Sequence, residues 1–223
     1  MQHSRRNAFK ILGLALTLSG VAMPVAAHGD DDNEGYRAAH VFTSTNAVAG
    51  NELLVYDTDR AGQLSLVTRL ATNGVGSGGG LGNQGAVTLS GNGRFVFVVN
   101  AVSNTLSTFS IRRRGLTLES TVDSGGQRPI SVTEHEGLVY VLNANGAGNV
   151  AGFRNHGGLL KPVAGSVQPL SAATGTGSAQ VGFGAEGESL IVTETGTNKL
   201  TTYRVRADGS VGAPLGTASS GAT

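Results

Sequence analysis

The chain has 223 residues, of which 35 are glycine and none is cysteine or tryptophan. Without cysteine it can build neither a disulfide framework nor a thiolate metal site, and so much glycine suits many turns and few helices. Sixteen Lys and Arg against fifteen Asp and Glu give a net charge of +1, with no basic stripe of the kind that nucleic acid or an anionic membrane requires.

Residues 1–27 read as a leader. Arg5, Arg6 and Lys10 form a basic start, residues 11–18 an apolar stretch, and Val25-Ala26-Ala27 a small-residue cleavage site. The apolar stretch is too short for a membrane anchor and is followed by Ser19 and Pro24. Residues 4–10, SRRNAFK, resemble a twin-arginine signal with its Phe one place late. The expected location is the bacterial periplasm or the exterior. Removing the three basic residues of the leader leaves thirteen against fifteen acidic ones, a net charge of −2. Neither nucleic acid nor, after cleavage, a membrane is expected as a partner.

Residues 28–39, beginning HGDDDNEG, read as an acidic, flexible lead-in. An N-terminal His28 offers copper an amine and a ring, but a plain tail is the simpler reading. Asp30, Asp31 and Asp32 lack the spaced ligands and glycine of a calcium loop. No metal site and no cofactor is expected.

From His40 onward the chain repeats itself. Apolar strands (HVFTST, RFVFVVN, LVYVLN, SLIVTE) are each followed by an Asn-led or Gly-led alternating strand (NELLVY, NTLSTF, NVAGF, NKLTTY) that ends on Tyr56, Phe109, Phe153 or Tyr203. A glycine and an apolar residue then open a further strand, as at Gly115-Leu116 and Gly158-Leu159. Residues 86–90, 130–133 and 180–183 supply a strand before the apolar one, joined to it by the turns 91–93, 135–137 and 185–187. Four strands per unit at a period of about 40–50 residues mark a β-propeller of antiparallel blades. With the strands lettered A to D from the centre outward, residues 40–223 hold about four blades. The first blade lacks a strand A. The final GTASSGAT resembles residues 125–129, the lead-in to a strand A. The expectation is a part of a larger ring, closed by missing C-terminal blades or a second subunit.

These segments, SGNGRFVFVVNAVSNTLSTFSI (90–111), GLVYVLNANGAGNVAGF (137–153) and ESLIVTETGTNKLTTYRV (188–205), resemble the seven-bladed lactonase-type propellers, a family that includes 6-phosphogluconolactonases and carboxymuconate-cyclising enzymes. The resemblance spans residues 40–223 and implies about four of seven blades. It is specific for the fold and weak for activity, because the matching residues are those that build a blade.

Strand direction puts the B–C and D–A loops on one face of such a ring and the A–B and C–D turns on the other. The D–A loops, placed at 71–84, 123–127 and 165–177, are long and glycine-rich, as ligand-binding loops often are. On that face stand the residues ending each strand B: Asn46, Asn100, Asn143 and Glu194. Arg128 enters an inner strand from it. Arg128 is thus a candidate to hold a carboxylate and Glu194 a candidate base, with the three asparagines as ligand contacts. The structural alternative has the asparagines capping turns and Glu194 solvated. His40, His135 and His156 all fall on the opposite face. The carboxymuconate-type relatives are thought to combine His with Arg and Glu, and no histidine here matches that role. Glu134-His135-Glu136 and Arg112-Arg113-Arg114 read as polar turns. The G-x-G-x-x-G match at 80–85 precedes a strand rather than a helix and makes no phosphate site. The function expected is therefore an exported lactonase-like propeller that binds a small molecule or a surface without an assignable reaction. A lactonase or cycloisomerase acting on a carboxylated lactone, and a fragment not competent alone, are the alternatives.

Overall fold

The structure, a computed structural model, describes residues 39–218. The leader and all of the acidic lead-in but its last residue lie outside the described residues. Four antiparallel sheets follow one another along the chain. The first has three strands, β1 (His40–Ser44), β2 (Glu52–Thr58) and β3 (Leu64–Ala71). The second has β4 (Val87–Leu89), β5 (Phe95–Asn100), β6 (Thr105–Arg112) and β7 (Gly115–Asp123). The third has β8 (Gln127–His135), β9 (Leu138–Asn145), β10 (Asn149–His156) and an outer strand split into β11 (Leu159–Pro162) and β12 (Gln168–Pro169). The fourth has β13 (Ser178–Phe183), β14 (Ser189–Glu194), β15 (Lys199–Arg204) and β16 (Leu215–Ala218). This is the all-β, four-stranded blade order read from the repeat, and the first sheet lacks its strand A. Two boundaries move. Gln168 and Pro169 still pair with β10, so the loop to the fourth sheet begins after them. Gly216-Thr217-Ala218 belong to β16, paired with β15, and the rest of GTASSGAT lies outside the described residues.

The turns explain the repeated small residues. Asn104, Gly148 and Asn198, which precede strand C of the second, third and fourth blades, have φ of 56°, 60° and 52°, a left-handed conformation that Gly and Asn adopt most readily. Gly62, Gly115, Gly158 and Gly209 in the C–D turns are also at positive φ.

The unbroken apolar runs of the B strands have a simple cause. Alternate side chains of a strand point to opposite faces of its sheet, and each inner sheet is covered on both. Val96 and Val98 of β5 pack with Leu53 and Val55 of the first sheet, while Phe97 and Val99 pack with Val132, Val139 and Val141 of the third. In β9 the same division sends Val139 and Val141 to the second sheet and Leu138, Tyr140 and Leu142 to Val181, Leu190, Val192 and Tyr203 of the fourth. Each seam between blades is thus one hydrophobic cluster. Where no further blade stands among the described residues, apolar side chains are exposed: Ile191, Leu200 and Leu215 on the fourth blade.

Phe109 is fully buried in the seam between the first two blades. Phe109→Ala should lower the unfolding free energy by about 3–5 kcal/mol, against no more than about 0.5 kcal/mol for Leu215→Ala at the exposed face. Urea unfolding of both variants measures the contrast.

Candidate functional site

The B-strand ends do not line an open mouth. Val96, Val98 and Asn100 share a face of β5, so Asn100 points into the seam with the first blade, where it is fully buried. Its Oδ1 accepts hydrogen bonds from Asn51 Nδ2 at 2.9 Å and Thr72 Oγ1 at 2.7 Å. Its Nδ2 donates to Thr105 Oγ1 at 3.0 Å and Ser107 Oγ at 2.8 Å. All four amide positions are used. Asn143, also fully buried, accepts from Ser124 Oγ at 2.7 Å and donates to the Ser124 carbonyl at 3.0 Å and Asn149 Oδ1 at 2.8 Å. Glu194 repeats the pattern at the third seam. It is 2% exposed and accepts from the Ser171 backbone N–H at 3.1 Å, the Ser171 hydroxyl and Thr197 Oγ1 at 2.8 Å.

Thr72, Ser124 and Ser171 each follow the last strand of one blade, and each holds the B-strand end of the next blade. The three bonds form a repeated latch between blades. Glycines make room for it: a Cβ at Gly74 would lie 2.3 Å from Asn100 Cγ, and one at Gly126 2.7 Å from the Asn143 side chain. Asn100, Asn143 and Glu194 are therefore structural here, and the expectation that they face a ligand gives way to burial with their polar atoms engaged. Glu194 is buried rather than solvated.

Asn46 stands one place beyond this position. Pairing of Val41 with Tyr56, as Val96 with Phe109, makes Thr45 the counterpart of Asn100. Asn46 instead clasps the first D–A loop. Its Nδ2 donates to Ser77 Oγ at 2.8 Å and the Gly79 carbonyl at 2.7 Å, and its Oδ1 accepts from the Ser77 N–H at 2.9 Å. The loop continues inward: Leu81 packs against two of the hydrophobic clusters, Asn83 Nδ2 donates to the Ile130 carbonyl, and the Gln84 N–H donates to the Ala179 carbonyl at 3.2 Å. It bridges the inner strands β8 and β13 of the third and fourth blades.

Arg128 has a different standing. It is exposed, and its backbone has a φ of 56°, a costly conformation for a residue with a Cβ. The Arg128 N–H donates to Asn104 Oδ1 at 2.7 Å, while the Asn104 carbonyl accepts from the Ser124 N–H at 2.9 Å. Asn104 thus ties the Arg128 backbone to the latch, a role that sequence reasoning missed; its place before strand C was the available signal. No partner of the Arg128 guanidinium occurs among the described residues. Arg128 borders a cavity of about 290 Å³ with Ser77, Asn104, Gln127 and Asn145, on the face of the B–C and D–A loops. The cavity does not include Glu194, and no hydrogen bond joins the two residues. An unpaired guanidinium beside amide and hydroxyl groups suits a small carboxylate.

The polar turns are accounted for. The Glu134 carboxylate accepts from the Gly91 N–H at 2.8 Å and the Gly137 N–H at 2.6 Å, joining the A–B turns of the second and third blades. Arg112 pairs with Glu119 at 2.6 Å. His135 and His156 end β8 and β10 on the face away from Arg128, and His40 bonds Asp57 at 2.5 Å at the exposed start of β1.

Burial opposes ionisation of Glu194, yet its hydrogen bonds from Ser171 and Thr197 prevail and hold its pKa below the usual carboxylate range. A folded-state pKa below the unfolded one stabilises the fold above the unfolded pKa, and this stability is lost as pH falls through the folded value. Glu194→Gln should therefore lose less stability than the parent on acidification below about pH 5. Parallel acid titrations followed by circular dichroism check this; superimposable acid limbs would refute the charged latch.

The model of the family described as "Lactonase, 7-bladed beta-propeller" matches residues 48–168. Among solved structures, a Bacteroides uniformis protein provisionally named a 6-phosphogluconolactonase aligns with a TM-score of 0.61 at 15% identity, covering 81% of this chain and 53% of that one. The periplasmic gluconolactonase of Pseudomonas aeruginosa aligns with a TM-score of 0.60 at 16% identity, covering 82% and 55%. A protein from Lactobacillus plantarum aligns at 0.60 and 16%, covering 75% and 49%. No curated protein matches the chain in sequence. At these identities the structures establish the shared fold, and the chain spans about half the length of each. The family model covers more than half of the chain, on sheets that follow one another as blades; the chain belongs to the lactonase family of seven-bladed β-propellers.

Proposed function

We propose that the chain is the blade-forming part of an exported lactonase-family propeller that binds a small carboxylated ligand at Arg128. The observation that carries this reading is the unpaired Arg128 guanidinium on a backbone pinned by Asn104 at the edge of a polar cavity. Strained backbone at a cavity is a recurrent mark of binding sites. The leader at residues 1–27 and the periplasmic address in the name of the Pseudomonas aeruginosa relative support export. The exposed Ile191, Leu200 and Leu215 call for cover from further blades or a second subunit.

The family name and that relative's name favour a second reading, hydrolysis of a lactone. In it Arg128 holds the substrate carboxylate and a base comes from outside the described residues, since Glu194 is engaged at its seam. Calorimetric titration with small carboxylates, alongside a screen of aldonolactones, separates the two readings. Binding that falls at least about tenfold in Arg128→Ala, without turnover, fits a binding protein; the loss is that of one charge-assisted contact. Turnover abolished by the same change in folded protein establishes the enzyme. Unaltered binding in Arg128→Ala contradicts both.

A further inference from the structure

The largest cavity described, about 720 Å³, lies on the opposite face, between the third and fourth blades. Its size falls within the range of small-molecule sites. The outer wall carries Arg154 of β10, Arg204 of β15 and, just beyond, Arg206. The inner wall carries Glu136 and Glu186, one in each A–B turn, with Glu188 at the start of the fourth blade's strand B. His135 lies between the two walls, its ring 5.5 Å from that of Phe183. Gly187 allows this approach, since a Cβ there would fall 2.2 Å from His135 Cδ2.

Exposed turns often carry solvated charges, but three features set this cavity apart. First, no ion pair joins any of these arginines to any of these glutamates among the described residues, although Arg206 donates to Ser210 Oγ at 3.2 Å and acts electrostatically on Asp208, and Arg154 on Tyr140. Second, Glu136 and Glu186 occupy equivalent A–B turn positions with φ of 49° and 62°, which places their side chains at matching points of adjacent blades. Third, the second blade does not repeat these charges. At the place of Arg154 and Arg204 the second blade has Ser110, bonded to Glu119 at 2.5 Å, and its A–B turn has Asn92, bonded to Ser90 at 2.9 Å.

We infer that this cavity binds a zwitterion: a free amino acid or short peptide with its carboxylate on the arginine wall and its ammonium on the glutamate wall. Each wall repels one sign of charge, so a purely anionic or purely cationic ligand meets opposition from half of the cavity. Guanidinium groups take a carboxylate in a forked pair, and carboxylates take the three donors of an ammonium. This site is independent of Arg128, which lies on the other face.

Unblocked triglycine is the probe, titrated calorimetrically into the full chain beside its N-acetyl and C-amide forms. The unblocked peptide should bind, and each block should weaken binding by about tenfold or more, the loss of one charge-assisted contact. Arg154→Gln with Arg204→Gln should erase the preference for the free carboxylate. Glu136→Gln with Glu186→Gln should erase the preference for the free ammonium. The titrations are run in the Arg128→Ala background, so that carboxylate binding on the other face does not contribute. Failure of unblocked triglycine to bind, or equal binding of all three forms, overturns the inference. So does loss of binding in the glutamine variants that tracks a lowered melting temperature, with both preferences intact in the fraction that remains folded.

Discussion

Strand B of each inner blade is covered on both faces, and the rest of the structure follows from that constraint. A strand between two neighbours must send alternate side chains to opposite seams, so its sequence becomes a continuous apolar run. The Leu53, Val55, Val96, Val98 and Phe109 cluster and its two counterparts are these seams. Burial of this kind is non-directional and would let blades slide. The polar residue at the end of the run removes that freedom. Asn100, Asn143 and Glu194 each reach back to a hydroxyl at the end of the preceding blade, and a buried amide or carboxylate left without its partners would be costly. Apolar area holds the blades together, and the latch fixes their register.

The latch also decides where chemistry is available. Groups placed at the B-strand ends are consumed by the seams, and the first D–A loop runs inward over the blades to Ile130 and Ala179. What remains free for a ligand lies beside the latch rather than in it. The backbone of Arg128 is held by Asn104, which also meets the backbone of Ser124, so the residue that pins Arg128 is tied to the one that fixes the seam. On the far face the third seam opens between turns, where Gly187 lets the blades approach at His135 beside a cavity lined by Arg154, Arg204, Glu136 and Glu186.

The blades were legible because their determinants are local: apolar runs, left-handed positions before strand C and glycine in the C–D turns. The third blade's outer strand was misjudged because Gln168 and Pro169 pair across a break that no local signal marks. The fate of the B-strand ends was legible in part. Strand parity alone puts Asn100 on the face of Val96 and Val98, whereas loop position suggested a ligand mouth. The hydroxyl partners at Thr72, Ser124 and Ser171 are set by how blades dock, which a repeat does not specify. Asn46 was misaligned by one residue because an asparagine follows Thr45 where the latch position itself holds a threonine.

The central claim is that adjacent blades are coupled through the hydroxyl-to-amide latch. A double-mutant cycle on Ser124→Ala and Asn143→Ala, read from urea unfolding, measures it most directly. The account predicts a coupling of at least about 1 kcal/mol, since each single change leaves its partner buried and unsatisfied. Additivity within about 0.3–0.5 kcal/mol would show that the two side chains do not act together, and the latch would be contradicted.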